Sequence, residues 1–307
     1  MAQAADSYAE LVLRQKARPL WVRVLTASGT FVYRKPMGAF GSLLVIFFIT
    51  LAIFAPMISP YEVGRIDLRN SLAGPSADYW LGTDDVGHDV LTRLIWGARL
   101  SVSIGFGAVL ASTIVATMLG VFSAYSGGWV DMAIGRFIDA WIALPDLIIL
   151  ITILGIVRRT EVNLTWAMVV ALALSRYAGV TRIYRSAVIE LRNRPYVEAA
   201  EASGANMVRV MRSHIFPNVL PLIIVTSTTA VPLAILAEAS LSFLGFGPAG
   251  EPSWGQMLSV DGREFFRKQP MLALAPGAAI GLSVFGFNMF GDALRDILDP
   301  RLRGEGR

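Results

Sequence analysis

The chain has 307 residues, 54% of them hydrophobic and 16% charged, with a mean hydropathy of +0.56. A soluble domain averages roughly 25% charged residues, so an ordinary water-soluble fold is excluded and an all-α, polytopic membrane protein is expected. The absence of cysteine and the presence of only two histidines, His88 and His214, exclude disulfides, thiolate chemistry and a His-rich metal site. The formal net charge of +4 is distributed as a membrane orientation signal rather than as a nucleic-acid footprint.

Residues 1–36 form a basic arm in which Arg14, Lys16, Arg18, Arg23, Arg34 and Lys35 alternate with Leu11, Leu20, Trp21 and Val24. Such a segment suits the anionic cytoplasmic face of a bilayer. The first uncharged apolar run follows Pro36, has no small-residue cleavage site behind it and is long enough to span, so it is expected to remain in the membrane. A span needs about 20 apolar residues. Six stretches qualify: Met37 to Ile58, Leu100 to Ala124, Ile134 to Val157, Leu164 to Tyr184, Val219 to Leu244 and Met271 to Asp292. The organisation expected is therefore a first transmembrane helix in residues 37–60, an external loop in 61–96, a five-helix core in 97–296 and a short tail in 297–307.

With both termini in the cytoplasm, the loops on that side carry about 16 Lys and Arg against about 8 on the other, as the positive-inside rule requires. The external loop is acidic and punctuated by glycine. It should run into a helix near Asp89; its aspartates lack the alternation and terminal Glu of an EF-hand. Small residues along the second span (Gly105, Gly107, Ala108, Ala111, Ser112) and the sixth (Gly277, Ala278, Gly281, Ser283) would let helices approach closely.

Residues 190–217 form a polar island between two spans. Pro195 suits a first helical turn, Glu198 to Ala202 are good helix formers, and Gly204 supplies a left-handed stop. Asn206 can cap a second helix with Val208, Met211 and Ile215 on one face and Arg209 and Arg212 elsewhere, until Pro217 opens the next apolar run. The expectation is a helix, a glycine bend and a helix, outside the bilayer.

Glu198-Ala199-Ala200, then three residues, then Gly204, and an apolar-Pro ending at Phe216-Pro217 resemble the cytoplasmic loop of the permease subunits of ATP-binding-cassette importers. His214-Ile215-Phe216-Pro217-Asn218 and the Leu81-Gly82-Thr83-Asp84 to Leu91 stretch are similar to the dipeptide and oligopeptide branch, although His88 stands where Arg is usual and Phe216 where Leu is favoured. Further likenesses are Gly97-Ala98-Arg99, Ala143-Leu144-Pro145, Glu238-Ala239-Ser240-Leu241-Ser242 and Pro252-Ser253-Trp254-Gly255. The resemblance covers the chain from about Arg34 onward. It implies a type I importer permease fold with six transmembrane helices in the plasma (inner) membrane of a prokaryote. It also implies a second homologous permease subunit, two cytoplasmic ATPase subunits that bind ATP and Mg, and an extracytoplasmic substrate-binding protein. The loop residues Glu198, Ala199, Ala200, Gly204, Arg209 and Pro217 would couple to the ATPases, and peptides, or alternatively nickel or another small solute, would be carried.

The chain itself contains no phosphate-cradling Gly-x-x-x-x-Gly-Lys-Ser/Thr loop, so it is expected to have no catalytic residues and to bind no cofactor of its own. A secondary carrier would hold several ionisable groups at mid-membrane. The candidates are Glu238, Asp139 and Asp146, with Asp139 spaced to pair with Arg136 on one helix. Glu238 interrupts an uncharged run; it belongs either to the pathway or gate, or to a structural hydrogen bond with a neighbouring helix.

Overall fold

A computed structural model describes residue 33 and residues 35–298, except 249 and 260. The basic arm before Lys35, apart from Tyr33, and the tail after Leu298 lie outside the described residues. Helices dominate: α1 (Pro36–Ile58), α2 (Val90–Ser126), α3 (Gly128–Ile142), α4 (Asp146–Val157) and α5 (Leu164–Arg192) precede the polar island. That island forms α6 (Pro195–Ala202) and α7 (Met207–Val210), then a π-turn (Met211–Ile215) leading into α8 (Phe216–Thr228). After α8 come α9 (Val231–Leu241), the short α10 (Trp254–Ser259) and α11 (Asp261–Glu264), and finally α12 (Met271–Leu298).

Five unbroken or gently broken helical stretches are long and apolar enough to cross a membrane, and α3 with α4 makes a sixth, bent by 84°. The bend falls at Ala143-Leu144-Pro145, where Pro145 is extended (ψ 125°), because proline donates no amide and disfavours helix in the residue before it. Neighbour relations fix the directions. A Cβ on Gly107 would meet Val169 and one on Gly120 would meet Thr181 and Tyr184, so α2 and α5 run parallel, and α3 with α4 carries the chain back across. By the same reasoning Gly41 against Met289 and Gly286 against Leu44 make α1 and α12 antiparallel, closed by a Lys35–Asp296 ion pair of 2.6 Å. Six crossings result, with Lys35, Asp296 and the polar island at one end of the bundle.

Helix α2 is 37 residues long, about 55 Å at 1.5 Å per residue, and overshoots a hydrocarbon core of about 30 Å. It begins ten residues before the expected span because Asp89 caps it, accepting from the Thr92 amide at 2.8 Å. The helix after the acidic loop thus starts where the sequence suggests. Close approach on α12 occurs at Gly286 and Gly291 rather than at Gly277 and Gly281, where an added Cβ would meet no other element among the described residues within 4 Å. Gly105 on α2 does pack as expected, against Ile235 of α9.

At the end opposite the polar island, the 59–89 loop is locked to α11. The buried Asp84 accepts from the backbone amides of Val86 and His88 at 3.1 and 2.7 Å and pairs with the His88 ring at 2.8 Å. Arg93 joins Asp84 to Asp261, the latter at 2.7 Å. Burial pushes the Asp261 carboxyl above the ordinary carboxylate range, with the Arg93 charge opposing it. Trp254 of α10, wholly buried, donates its indole N–H to the Leu94 carbonyl at 3.0 Å and meets Phe48 edge-on. Gly255 lets that short helix lie directly on α9, since a Cβ there would stand 2.2 Å from the Ala239 carbonyl oxygen.

Candidate functional site

The polar island is a compact hairpin. Pro195 starts α6, Glu198 lies in its first turn, and Gly204 ends it at φ +83°. The Ala205 amide reaches the Ala200 carbonyl at 3.1 Å and the Gly204 amide reaches Glu201 at 2.9 Å; this pair of bonds is a Schellman stop. Asn206 caps α7, its Oδ1 accepting from the Arg209 amide at 2.9 Å. The helix, bend and helix expected from the sequence are therefore present, with the cap and the stop at the residues expected.

One expectation fails. Val208, Met211 and Ile215 do not share an inward face: Val208 is 69% exposed, while Val210 and Ile215 are wholly buried. The cause is the π-turn, in which the Phe216 amide bonds to the Met211 carbonyl five residues back. Pro217 has no amide to give the Ser213 carbonyl and its ring crowds it, so the turn widens and residues five apart come to share a face. Asn218 then donates to the His214 carbonyl at 2.6 Å.

The root of the hairpin is apolar and its tip is free. Val197, Val210, Ile215 and Val219 pack with Ala116, Val121 and Ala124 of α2 and Tyr184 and Val188 of α5. Tyr125 donates to Glu201 at 2.6 Å, and the Arg192 guanidinium lies over the Tyr125 ring. Of the expected coupling residues, Glu198, Ala199, Gly204, Arg209 and Pro217 are exposed and Ala200 is half-buried. Docked at its base and open at its tip, the hairpin is a rigid knob at one end of a helical bundle.

The three candidate pathway acids are not brought together. Glu238 of α9 is wholly buried; its Oε1 accepts from Ser242 at 2.7 Å, Ser101 of α2 and Ser253, just before α10, stand beside it, and its Oε2 has no hydrogen-bond partner among the described residues. Asp139 lies on α3 and Asp146 begins α4, both exposed. Asp139 does not pair with Arg136 as the spacing suggests; Arg182 of α5, which runs alongside, takes it. Arg185 holds Asp131 through two bonds of 2.5 and 2.6 Å. These inter-helix pairs, like the Asp84–Arg93–Asp261 network, escape sequence reading because partners 43, 54 or 168 residues apart share no local signal.

A helical bundle with five or six candidate spans and an exposed hairpin packed at its root defines a multi-pass membrane protein with a docking knob at one end. Residues 116–304 match the model of the binding-protein-dependent transport system inner membrane component, and residues 32–75 match the N-terminal transmembrane domain of oligopeptide transport permease C. The chain belongs to the family of binding-protein-dependent transport system inner membrane components. It is 41% identical over 271 residues, 88% of each chain, to the dipeptide transport system permease protein DppC of Alkalihalophilus pseudofirmus. It is 38% identical over 264 residues, 86% of this chain and 85% of the other, to the oligopeptide transport system permease protein OppC of Bacillus subtilis. Among solved structures, the inward facing MetNI methionine ABC transporter contains a chain that aligns with a TM-score of 0.56 at 17% identity, covering 68% of this chain and 97% of that one; the likeness is one of fold.

Proposed function

We propose that the chain is the transmembrane permease subunit of an ATP-driven peptide importer in a prokaryotic plasma membrane. It forms the translocation pathway with a second, homologous permease, and an extracytoplasmic binding protein delivers the solute. Two cytoplasmic ATPase subunits, which bind ATP and Mg, engage the α6–α7 knob of each permease. Both termini lie on the cytoplasmic side, the side that also carries the excess of Lys and Arg.

The observation that carries this reading is the knob itself. A short helix pair stopped by a Schellman bend and rooted in α2 and α5 transmits a displacement that a flexible loop would absorb. Peptides are favoured over nickel because the relatives described above are named for dipeptides and oligopeptides. The test is reconstitution: the chain, its partner permease, the ATPases and the binding protein in proteoliposomes should take up small peptides only with ATP. Uptake of nickel but not of peptides would replace the solute, and ATP-independent uptake would remove the importer reading.

A further inference from the structure

Toward the end of the bundle opposite the knob, a cleft of about 750 Å³ lies between α1, α12 and the first turns of α2. Its back wall is apolar and buried, with Phe48 of α1, Ile95 of α2 and Trp254 of α10. Its rim is open: Phe47 and Ile58 on α1 and Leu274, Ala278 and Leu282 on α12 are exposed. Pro60, Trp80 and Leu81 of the 59–89 loop line its outer end. Because α1 and α12 are both long and apolar enough to cross a membrane, the cleft opens sideways onto the bilayer.

The depth of the cleft is set by where the two helices meet. Its lining runs from Phe47 to Ile58 on α1 and from Met271 to Leu282 on α12. Each stretch rises about 16 Å, half of a hydrocarbon core of about 30 Å, and Ile58 and Met271 are the outer ends of their helices. Deeper in, α1 and α12 close on each other: a Cβ on Gly41 would stand 2.6 Å from the Met289 Cβ, and one on Gly286 2.6 Å from the Leu44 Cβ. The cleft is one leaflet deep and shut at its foot.

We propose that this cleft seats one acyl chain of a zwitterionic phospholipid from the leaflet opposite the knob. A spanning helix of a partner needs a groove of about 30 Å and would run into the closed seam. An extended peptide would leave its backbone amides unpaired, since the lining side chains carry no polar group but two indoles and Trp254 already donates to the Leu94 carbonyl. A hydrocarbon tail has no such need. Trp80, exposed at the outer end, is of the aromatic type that sits at headgroup level. The charge there selects the headgroup: exposed Glu62 and Asp78 lie two residues from Pro60 and Trp80, against Arg65 stacked on the Tyr61 ring. Tyr61 draws these stretches together by donating to the Asp78 carbonyl at 2.8 Å. An acidic rim suits a headgroup that carries an ammonium and repels an anionic one.

The test uses the full chain in the complex in which it leaves the membrane, extracted in mild detergent from membranes holding both phosphatidylethanolamine and phosphatidylglycerol. Lipids that survive washing are identified by mass spectrometry. The wild type should retain phosphatidylethanolamine. Ala278→Trp, which fills the cleft from its exposed rim, should retain about tenfold less, and Leu43→Trp, on an exposed face of α1 outside the cleft, should match the wild type. Equal retention by Ala278→Trp and wild type overturns the proposal, and so does a preference for phosphatidylglycerol. A second measurement leaves the cleft unfilled: Ala278→Cys in this cysteine-free chain, coupled to a photoreactive benzophenone, should capture phospholipid on illumination. Capture of a second membrane subunit in its place assigns the cleft to a protein partner and overturns the lipid. Neither readout depends on which solute is carried, so the proposal stands or falls apart from the peptide reading.

Discussion

Arg93, in the first turn of α2, reaches the carboxylate of Asp261 at 2.7 Å across 168 residues of sequence while also holding the buried Asp84. One guanidinium thus fastens the acidic 59–89 loop to the segment between α9 and α12. Arg93→Ala leaves two carboxylates without their cation and should cost about 3–5 kcal/mol, read as a lower midpoint of thermal unfolding in detergent.

The same clasp predicts a pH dependence. Because burial raises the Asp261 carboxyl above its ordinary 3.8, the folded protein binds this proton more tightly than the unfolded chain does. The contribution of Asp261 to stability is therefore fully present below that ordinary value and is lost as pH rises through the folded one. Asp261→Asn should flatten this part of the profile. Thermal midpoints compared from about pH 4 to about pH 7 decide it; parallel profiles for both proteins would show that Asp261 does not titrate as described.

At the other end, Gly204→Val places a β-branched residue at φ +83°. Among the described residues none lies within 4 Å of the new Cβ beyond its chain neighbours, so the cost is backbone strain, about 1–2 kcal/mol, confined to a hairpin outside the packed spans. The variant should reach the membrane at normal abundance and lose ATPase co-purification and uptake, and Glu198→Ala should do the same more weakly. Normal uptake by Gly204→Val would sink the docking assignment.

Glu238→Gln keeps an acceptor for Ser242 while removing any charge. Abundance, uptake and basal ATPase activity should stay within about twofold of wild type, whereas Glu238→Ala, which opens a cavity and strands Ser242 and its neighbours, should cost about 2–4 kcal/mol. A large loss of transport in an abundant, stable Glu238→Gln protein would instead give the carboxylate a part in the pathway or gate.

Orientation can be read directly in this cysteine-free chain. Ser203 at the knob and Ala77 in the opposite loop are both exposed. Cysteine at Ala77 should react with an impermeant maleimide in intact cells, and cysteine at Ser203 only after permeabilisation. The reverse pattern would invert the topology.

The six crossings and the hairpin are legible in the sequence because each rests on a local signal: twenty apolar residues, a proline at a first turn, a glycine at a stop, an asparagine at a cap. What stays hidden is set by tertiary neighbours. The 84° bend at Pro145 lies in a run apolar enough for one straight helix, and only the parallel course of α2 and α5 shows how it crosses. Val208 gives way to Val210 because a π-turn changes the period from which its phase was read. Arg136 and Asp139 have helical spacing for a pair, but Asp139 is held by Arg182 on α5, 43 residues away in sequence.

Helix α5 runs 29 residues without a break from Leu164 to the foot of the hairpin, about 43 Å at 1.5 Å per residue. Mechanically it is a stiff rod packed along α2 at both levels, by Met168 and Leu172 near its start and by Tyr184 and Val188 near its foot. A sideways push of about 5 Å on the hairpin, taken up by pivoting of such a rod, tilts it by only about 7°. Arg182, roughly two thirds of the way along, then swings through about 3 Å, and its pair with Asp139, together with Arg185 on Asp131, ties α3 to that motion. A displacement at the hairpin is therefore passed on to α3 through two ion pairs rather than taken up at a flexible joint.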